Sequence, residues 1–214
     1  MRTLLDLILP QACGGCGALG DGWCARCAAS LAGPPIRVRP RTDPGVPCWA
    51  LGPYAGAGRR AVVAAKERGR RDLAAPLGLA LARGLDTLRS RDRRLLLVPA
   101  PSRGAAARRR GGDPVARTAR VAASWLPDCR VVPVLAMRRG VRDSVGLGPS
   151  DRRHNLHGRI IVRNGSLPAA LADPNAEVVL VDDVLTTGAT AGESVLVLAR
   201  AGVPTRSVVV TCAA

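Results

Sequence analysis

The stretch Val178-Val-Leu-Val-Asp-Asp-Val-Leu-Thr-Thr-Gly-Ala-Thr190 decides how this chain is read. Its first four residues are apolar without alternation, the pattern of a strand buried on both faces. Two carboxylates, Asp182 and Asp183, follow at the carboxyl end of that strand, where open α/β sheets bind ligands. Thr186-Thr-Gly-Ala-Thr190 then leads into an expected helix. Such a turn aims backbone N–H groups and hydroxyls at one point beside the positive end of the helix dipole, an arrangement that binds a phosphate. Gly188 lets the backbone approach a ligand closely. A carboxylate pair beside an anion cradle would repel a bare phosphate, but it suits a ligand that presents vicinal hydroxyls next to one. A ribose 5-phosphate has that form. The plainer alternative is an acid-rich turn with a threonine helix cap, and the whole string in register argues against it. No Gly-Lys-Ser/Thr loop and no G-x-G-x-x-G accompany the string, which weakens nucleoside triphosphate and dinucleotide readings.

Outward from this segment, strands alternate with helices. Strands are expected near Cys48–Tyr54, over the apolar run Leu95-Leu-Leu-Val-Pro-Ala-Pro101, and at Arg130–Met137, Ile160–Arg163, Glu177–Val181 and Ser207–Cys212. Helices are expected near Arg59–Glu67, Leu73–Leu88, 114–125 and Thr190–Ala201, the last closed by Gly202. The fold class is therefore α/β, a mostly parallel sheet flanked by helices, preceded by a small N-terminal module. Three parts are expected: a Cys- and Gly-rich head over 1–32, a stretch over 33–47 with five prolines that reads as a linker or extended edge, and one domain over 48–214.

Among 214 residues there are three Trp, one Tyr and no Phe, so the core must come from Leu, Val, Ala and Ile. The same scarcity argues against aromatic platforms for stacking single-stranded bases. The formal charge is +16, and Lys66 is the only lysine among 32 basic residues. GC-rich coding accounts for arginine in place of lysine but not for the twofold excess of base over acid. That excess attracts polyanions, single-stranded DNA among them. No run is long enough for a transmembrane helix. Leu4–Leu9 carries Asp6, lacks a following cleavage site, and reads as a short amphipathic helix. A cytoplasmic location is expected.

Cys13-Gly-Gly-Cys16 and Cys24-Ala-Arg-Cys27 form C-x2-C-x7-C-x2-C, a spacing that can supply four thiolates to one tetrahedral structural zinc. Two disulfides or a redox C-x-x-C are the alternatives. The lack of an export signal counts against the first and the duplication against the second. Cys48, Cys129 and Cys212 sit in apolar contexts and read as core.

Val178 to Thr190 resembles the phosphoribosyl diphosphate (PRPP) motif of type I phosphoribosyltransferases. With the four-cysteine head, the whole chain resembles the competence protein F (ComF) family. The resemblance implies that Asp182 and Asp183 contact the ribose hydroxyls, and that Thr186, Thr187, Gly188, Ala189 and Thr190 hold the 5-phosphate. It implies that Pro99, Ala100 and Pro101 face the diphosphate, because Val98-Pro-Ala-Pro101 matches the family's Val-Pro-Val-Pro. Lys66, with Tyr54, matches a family Tyr and Lys segment, although Glu67 replaces an aromatic. Arg110-Gly111 begins a match to Arg-Gly-Phe-Asn-Gln that departs at Gly112-Asp113-Pro114, and Ala106 stands where an arginine is common. Arg138 to Asn155 resembles the family's flexible loop, with Arg153 and Asn155 in its Arg-x-x-Asn, while Asp143, Ser144 and Val145 replace its Thr and Gln. The implied activity is Mg²⁺-dependent phosphoribosyl transfer from PRPP to an unidentified acceptor, with Lys66, Arg153, Asp182 and Asp183 as catalytic residues. The alternative implied is a non-catalytic PRPP-, nucleotide- or DNA-binding protein of DNA uptake. A zinc-bearing nucleic-acid module with a vestigial sugar site is a third reading.

Overall fold

A computed structural model describes residues 11–102, 112–138 and 158–214. The head opens with a two-stranded antiparallel ribbon, β1 (Gln11–Ala12) and β2 (Leu19–Gly20), followed by the short helix α1 (Ala25–Ala29). The 33–47 stretch contributes β3 (Ile36–Val38), which pairs antiparallel with β4 (Cys48–Pro53) and forms one edge of the main sheet. Its prolines flank the strand, since proline cannot donate to a ladder. Then come α2 (Gly56–Glu67), a 3₁₀ turn at Arg71–Leu73, α3 (Ala74–Leu88), β5 (Arg94–Pro99) and α4 (Pro114–Ser124). After α4 follow β6 (Cys129–Val131), β7 (Leu135–Met137), β8 (Ile160–Val162), β9 (Ala176–Leu185), α5 (Ala189–Arg200) and β10 (Thr205–Ala213).

The central sheet is six-stranded in the order β3-β4-β10-β9-β5-β6, and every pairing except β3–β4 is parallel. Helices cover both faces. Leu95, Leu97, Val179, Val181 and Val209 point into a core shared with α2, α3 and α4. Leu96, Val98, Val178, Leu180, Val208 and Val210 point the other way, against α5 and the β7–β8 ribbon. Unbroken apolar runs in β5, β9 and β10 are what a two-faced burial requires. This is the expected α/β architecture. No described helix is long and apolar enough to cross a membrane.

The strand expected at Arg130–Met137 is two strands. Pro133 lacks an N–H and sits between them; β6 stays in the central sheet, while β7 leaves it to pair with β8. The second correction concerns β9, which continues past Val181 to Leu185 because β10 accompanies it, pairing Val210 with Asp182 and Ala213 with Leu185. The Leu4–Leu9 segment lies outside the described residues.

Candidate functional site

Three connections meet at the carboxyl edge of the sheet. Asp182 and Asp183 sit near the end of β9, in the stretch where the strand passes from full burial toward solvent. Lys66, in the last turn of α2, reaches Asp183 with its ammonium 3.0 Å from Oδ1 and 2.9 Å from Oδ2. Asp182 turns its Oδ1 to the Asp183 amide, which donates at 2.8 Å. Burial, and then the neighbouring Asp183 charge, raise the Asp182 carboxyl far above the usual carboxylate range. Burial pulls the Lys66 ammonium down, but Asp183, Asp182 and Glu67 outweigh it and the pKa is raised overall. Burial thus favours the protonated form of Asp182, and the Lys66 ammonium in contact with Asp183 offsets part of the repulsion that two carboxylates would exert on a phosphate. Beneath the acids lies a void of about 20 Å³, room for one water, lined on its polar side by Lys66, Thr118 and Thr211.

Beyond the acids, Leu185 ends the strand and Gly188 caps α5 with φ +84°, a left-handed conformation that favours glycine. The Thr187 hydroxyl accepts from the Ala189 amide at 3.4 Å, and Gly192 N–H donates to Gly188 at 2.8 Å to start the helix. Thr186 is exposed, Thr187 and Thr190 half-buried, Gly188 and Ala189 buried. The loop is braced from outside by the proline-rich segment. Thr42 N–H donates to the Thr187 carbonyl at 2.8 Å. A Cβ on Gly188 would collide with the Thr42 carbonyl and come within 2.7 Å of Pro40 Cβ. A ligand is the expected cause of the close approach at Gly188; the approach the structure shows is that of the chain's own Pro40–Thr42 segment. A cleft of about 390 Å³ opens between this segment and the strand ends, bounded by Ile36, Arg39, Pro53, Thr186 and Ala213.

Pro99, Ala100 and Pro101 stand on the adjacent strand at the same height. Pro99 pairs with Val181, and Ala100 N–H donates to the Val181 carbonyl at 2.8 Å, which seats this turn directly beside Asp182. The departure at Gly112-Asp113-Pro114 has a local reason that the sequence carried unread. Asp113 is the N-cap of α4, accepting from the Val115 and Ala116 amides at 2.8 and 3.2 Å, with Pro114 at the first helical position. Its second oxygen receives the Ser102 hydroxyl at 2.5 Å. Tyr54 lies at the end of β4 with the Arg59 guanidinium 5.6 Å from its ring centre. Arg110, Gly111, Ala106, Arg153 and Asn155 lie outside the described residues. Arg138 is the last described residue before that loop and donates its N–H to the Arg159 carbonyl at 2.7 Å.

At the head, the sulfurs of Cys13, Cys16, Cys24 and Cys27 all lie within 4.8 Å of one another, and those of Cys16 and Cys24 are 3.7 Å apart. Four thiolates about 2.3 Å from a tetrahedral zinc stand roughly 3.8 Å apart, so the donor set fits that ion. The electrostatics agree. Burial alone would raise the Cys13 thiol, but the amides of Cys16, Cys24 and Gly15 aim at its sulfur and bring it down to about 6. Burial first, and then the neighbouring sulfurs, push Cys27 up to about 12. Sulfurs that oppose one another's ionisation in this way are what a divalent cation relieves. Cys48, Cys129 and Cys212 stand apart from this cluster, and burial is the main cause raising each thiol to about 11.

No protein-family model matches the chain, and no curated protein matches it. The functional reading rests on the geometry above and on the motif resemblance.

Proposed function

We propose that the chain is a ComF-type phosphoribosyltransferase-fold protein that binds PRPP at the carboxyl edge of β9 and transfers its phosphoribosyl group to an unidentified acceptor. The observation that carries this reading is the placement of three expected ligand-contacting segments on one sheet edge. The acid pair, the glycine-capped loop and the Pro99–Pro101 turn are neighbours. In this reading Asp182 and Asp183 accept from the vicinal ribose hydroxyls. The amides and hydroxyls of Thr186–Thr190 hold the 5-phosphate at the start of α5. The turn at Pro99–Pro101 borders the diphosphate. The C1–O bond to diphosphate breaks as an acceptor lone pair forms the new bond to C1, through a transition state of oxocarbenium character. Lys66 is close enough to Asp183 to stabilise charge at this edge, and Arg153 from the loop would meet the departing diphosphate. Mg²⁺ bound by oxygen donors would neutralise the diphosphate, and the carboxylates and hydroxyls of this edge are donors that suit a hard cation. The four cysteines would hold a structural zinc.

Calorimetric titration with PRPP and Mg²⁺ tests the reading. A saturable heat that disappears in the Asp182→Asn/Asp183→Asn double variant is expected, and no heat from a folded protein would reject it. Diphosphate release on screening bases and amines then tests turnover. A second reading, a non-catalytic PRPP-, nucleotide- or DNA-binding protein, is favoured by one feature. Arg37, Arg39 and Arg41 are all exposed on or just after the edge strand β3, on a chain of charge +16. Single-strand binding that is steeply salt-dependent and survives the double variant would support it.

A further inference from the structure

The head touches the rest of the molecule mainly through α2 and the turn behind it, and Lys66 lies on that same helix. On its sheet side α2 buries only small residues, among them Ala61, Val62 and Ala64. Such residues make shallow contacts that give little purchase on the end of the helix. The outer side is tied more specifically. Arg60 Nε donates to the Gly15 carbonyl, inside the first cysteine pair. Past the helix end, Arg70 N–H donates to the Ala64 carbonyl at 3.2 Å. Its guanidinium donates to the Ala12 carbonyl at 2.9 Å and grips both oxygens of Asp72 at 2.9 and 2.7 Å. Leu73, fully buried, sits directly under Gly14, where an added Cβ would come within 2.6 Å of its methyl groups. Lys66 lies between Arg60 and Arg70 in the chain.

We propose that the four-cysteine head is a metal-dependent buttress for α2, in which Arg60 and Arg70 are positioning residues that hold Lys66 against Asp183. The carbonyls that the two arginines grip, Ala12 and Gly15, flank Cys13. Short backbone bonds shape this turn: Cys13 N–H donates to the Ala18 carbonyl at 2.8 Å, Gly14 N–H to that of Gly22 at 2.8 Å and Gly17 N–H to that of Cys13 at 2.9 Å. The β1–β2 ribbon has two paired positions, and the head's own buried side chains are essentially Cys13, Cys27 and Leu31. A centre joining four sulfurs would add the tie that locks this turn to Cys24 and Cys27. Releasing it loosens both carbonyls, then the Arg60 contact and the head-side contact of Arg70, which Asp72 still holds, and then the last turn of α2. The edge of β9 would register metal loss in the head with no direct contact to the metal. Reagents that strip or oxidise clustered thiolates would reach the ligand site by this route. The inference concerns Lys66 and Asp183 in the folded chain; only its consequence for PRPP rests on the function proposed above.

Because Lys66 is the only lysine, lysine labelled with ¹³C at Cε gives one side-chain signal, and that signal reports the ion pair. The full chain is prepared zinc-loaded, and again after chelation under reducing conditions. Arg60→Gln and Arg70→Gln variants are prepared zinc-loaded, and deuterium uptake is followed in parallel. The expected result is a Lys66 signal that moves toward that of a free lysine on chelation and part of the way in each variant. Exchange in residues 56–68 should rise about tenfold while β9 and β10 stay protected. An unmoved lysine signal with the metal gone and the sheet intact would overturn the buttress. If chelation unfolds the whole chain, the two zinc-loaded variants decide, and unchanged lysine signals in both overturn it. A PRPP titration separates the two proposals. If chelation displaces Lys66 but the zinc-loaded chain binds no PRPP, the buttress stands and the ligand is rejected. PRPP affinity that is unaffected by chelation, with Lys66 unmoved, does the reverse.

Discussion

The four-cysteine head and the carboxyl edge of β9 are built on opposite plans. The head gathers its four functional side chains from fifteen consecutive residues, Cys13 to Cys27, around almost no apolar core. The β9 edge joins groups far apart in sequence, Lys66 of α2 to Asp183 across 117 residues, beside a strand whose residues Val178–Val181 are all buried. The first holds its four sulfurs through local turns, around a site that fits a metal ion. The second holds its side chains through a finished sheet and needs no ligand to be ordered. Local ligand clusters are therefore expected to fail on loss of their ion, and sheet-edge sites on loss of packing or of a backbone conformation.

The sharpest way to break this contrast is Cys24→Ser. Zinc binding to such sites supplies about 10–16 kcal/mol. We expect metal analysis to fall from one zinc per chain to near none, and limited proteolysis to cut the head first while the β9–β10 core survives. A head that stayed resistant without metal would mean it has a core of its own.

Next in size is Gly188→Ala. It forces a side chain into φ +84° and into the Pro40–Thr42 segment. About 2–4 kcal/mol of stability should be lost, read as a lower urea midpoint, with zinc content untouched. A neutral result would show that the proline-rich segment yields.

Lys66→Met should cost about 1 kcal/mol. The lysine is 42% exposed, so solvent already screens much of its attraction to Asp183. Its effect on PRPP titration should be far larger than its effect on unfolding, and equal effects would place Lys66 in the scaffold alone.

The smallest expected effect is a pH gradient. Burial and Asp183 raise the Asp182 carboxyl in the folded state, so the native protein keeps a proton that the unfolded chain releases near pH 4. That stabilisation is complete below the unfolded value and is lost as pH rises toward the folded one. Between pH 5 and 8 the wild-type stability should fall with pH by a fraction of the 1.4 kcal/mol per unit that one proton allows. Asp182→Asn should flatten that slope, and urea melts of both proteins at three pH values would reveal it.

Much of the architecture was legible along the chain, and the reasons are local. A short, β-branched apolar run with no alternation, Val178–Val181, has the pattern of a strand covered on both faces. The spacing of Cys13, Cys16, Cys24 and Cys27 is enough to bring four sulfurs together because the intervening turns are short. Two local signals were present and passed over. Pro133, in the middle of an expected strand, splits it. Asp113-Pro114, which departs from the family pattern, is a helix start. The partnership of Lys66 with Asp183 had no local signature, since any of the chain's arginines could have faced the acids. The same holds for the bracing of Gly188 by Pro40 and Thr42, which depends on β3 joining the sheet edge.

By itself, then, the amino-acid order determined which segments are strands and helices and which cysteines cluster. These follow from backbone preferences and side-chain period acting over a few residues. Tertiary structure alone decided the burial of Asp182 and the contact of Lys66 with Asp183, the segment that braces the Gly188 loop, and the tether between the head and α2. Each of these depends on distance and burial between groups remote in the chain. Such energies come into being only when the sheet has closed and water has left its edge.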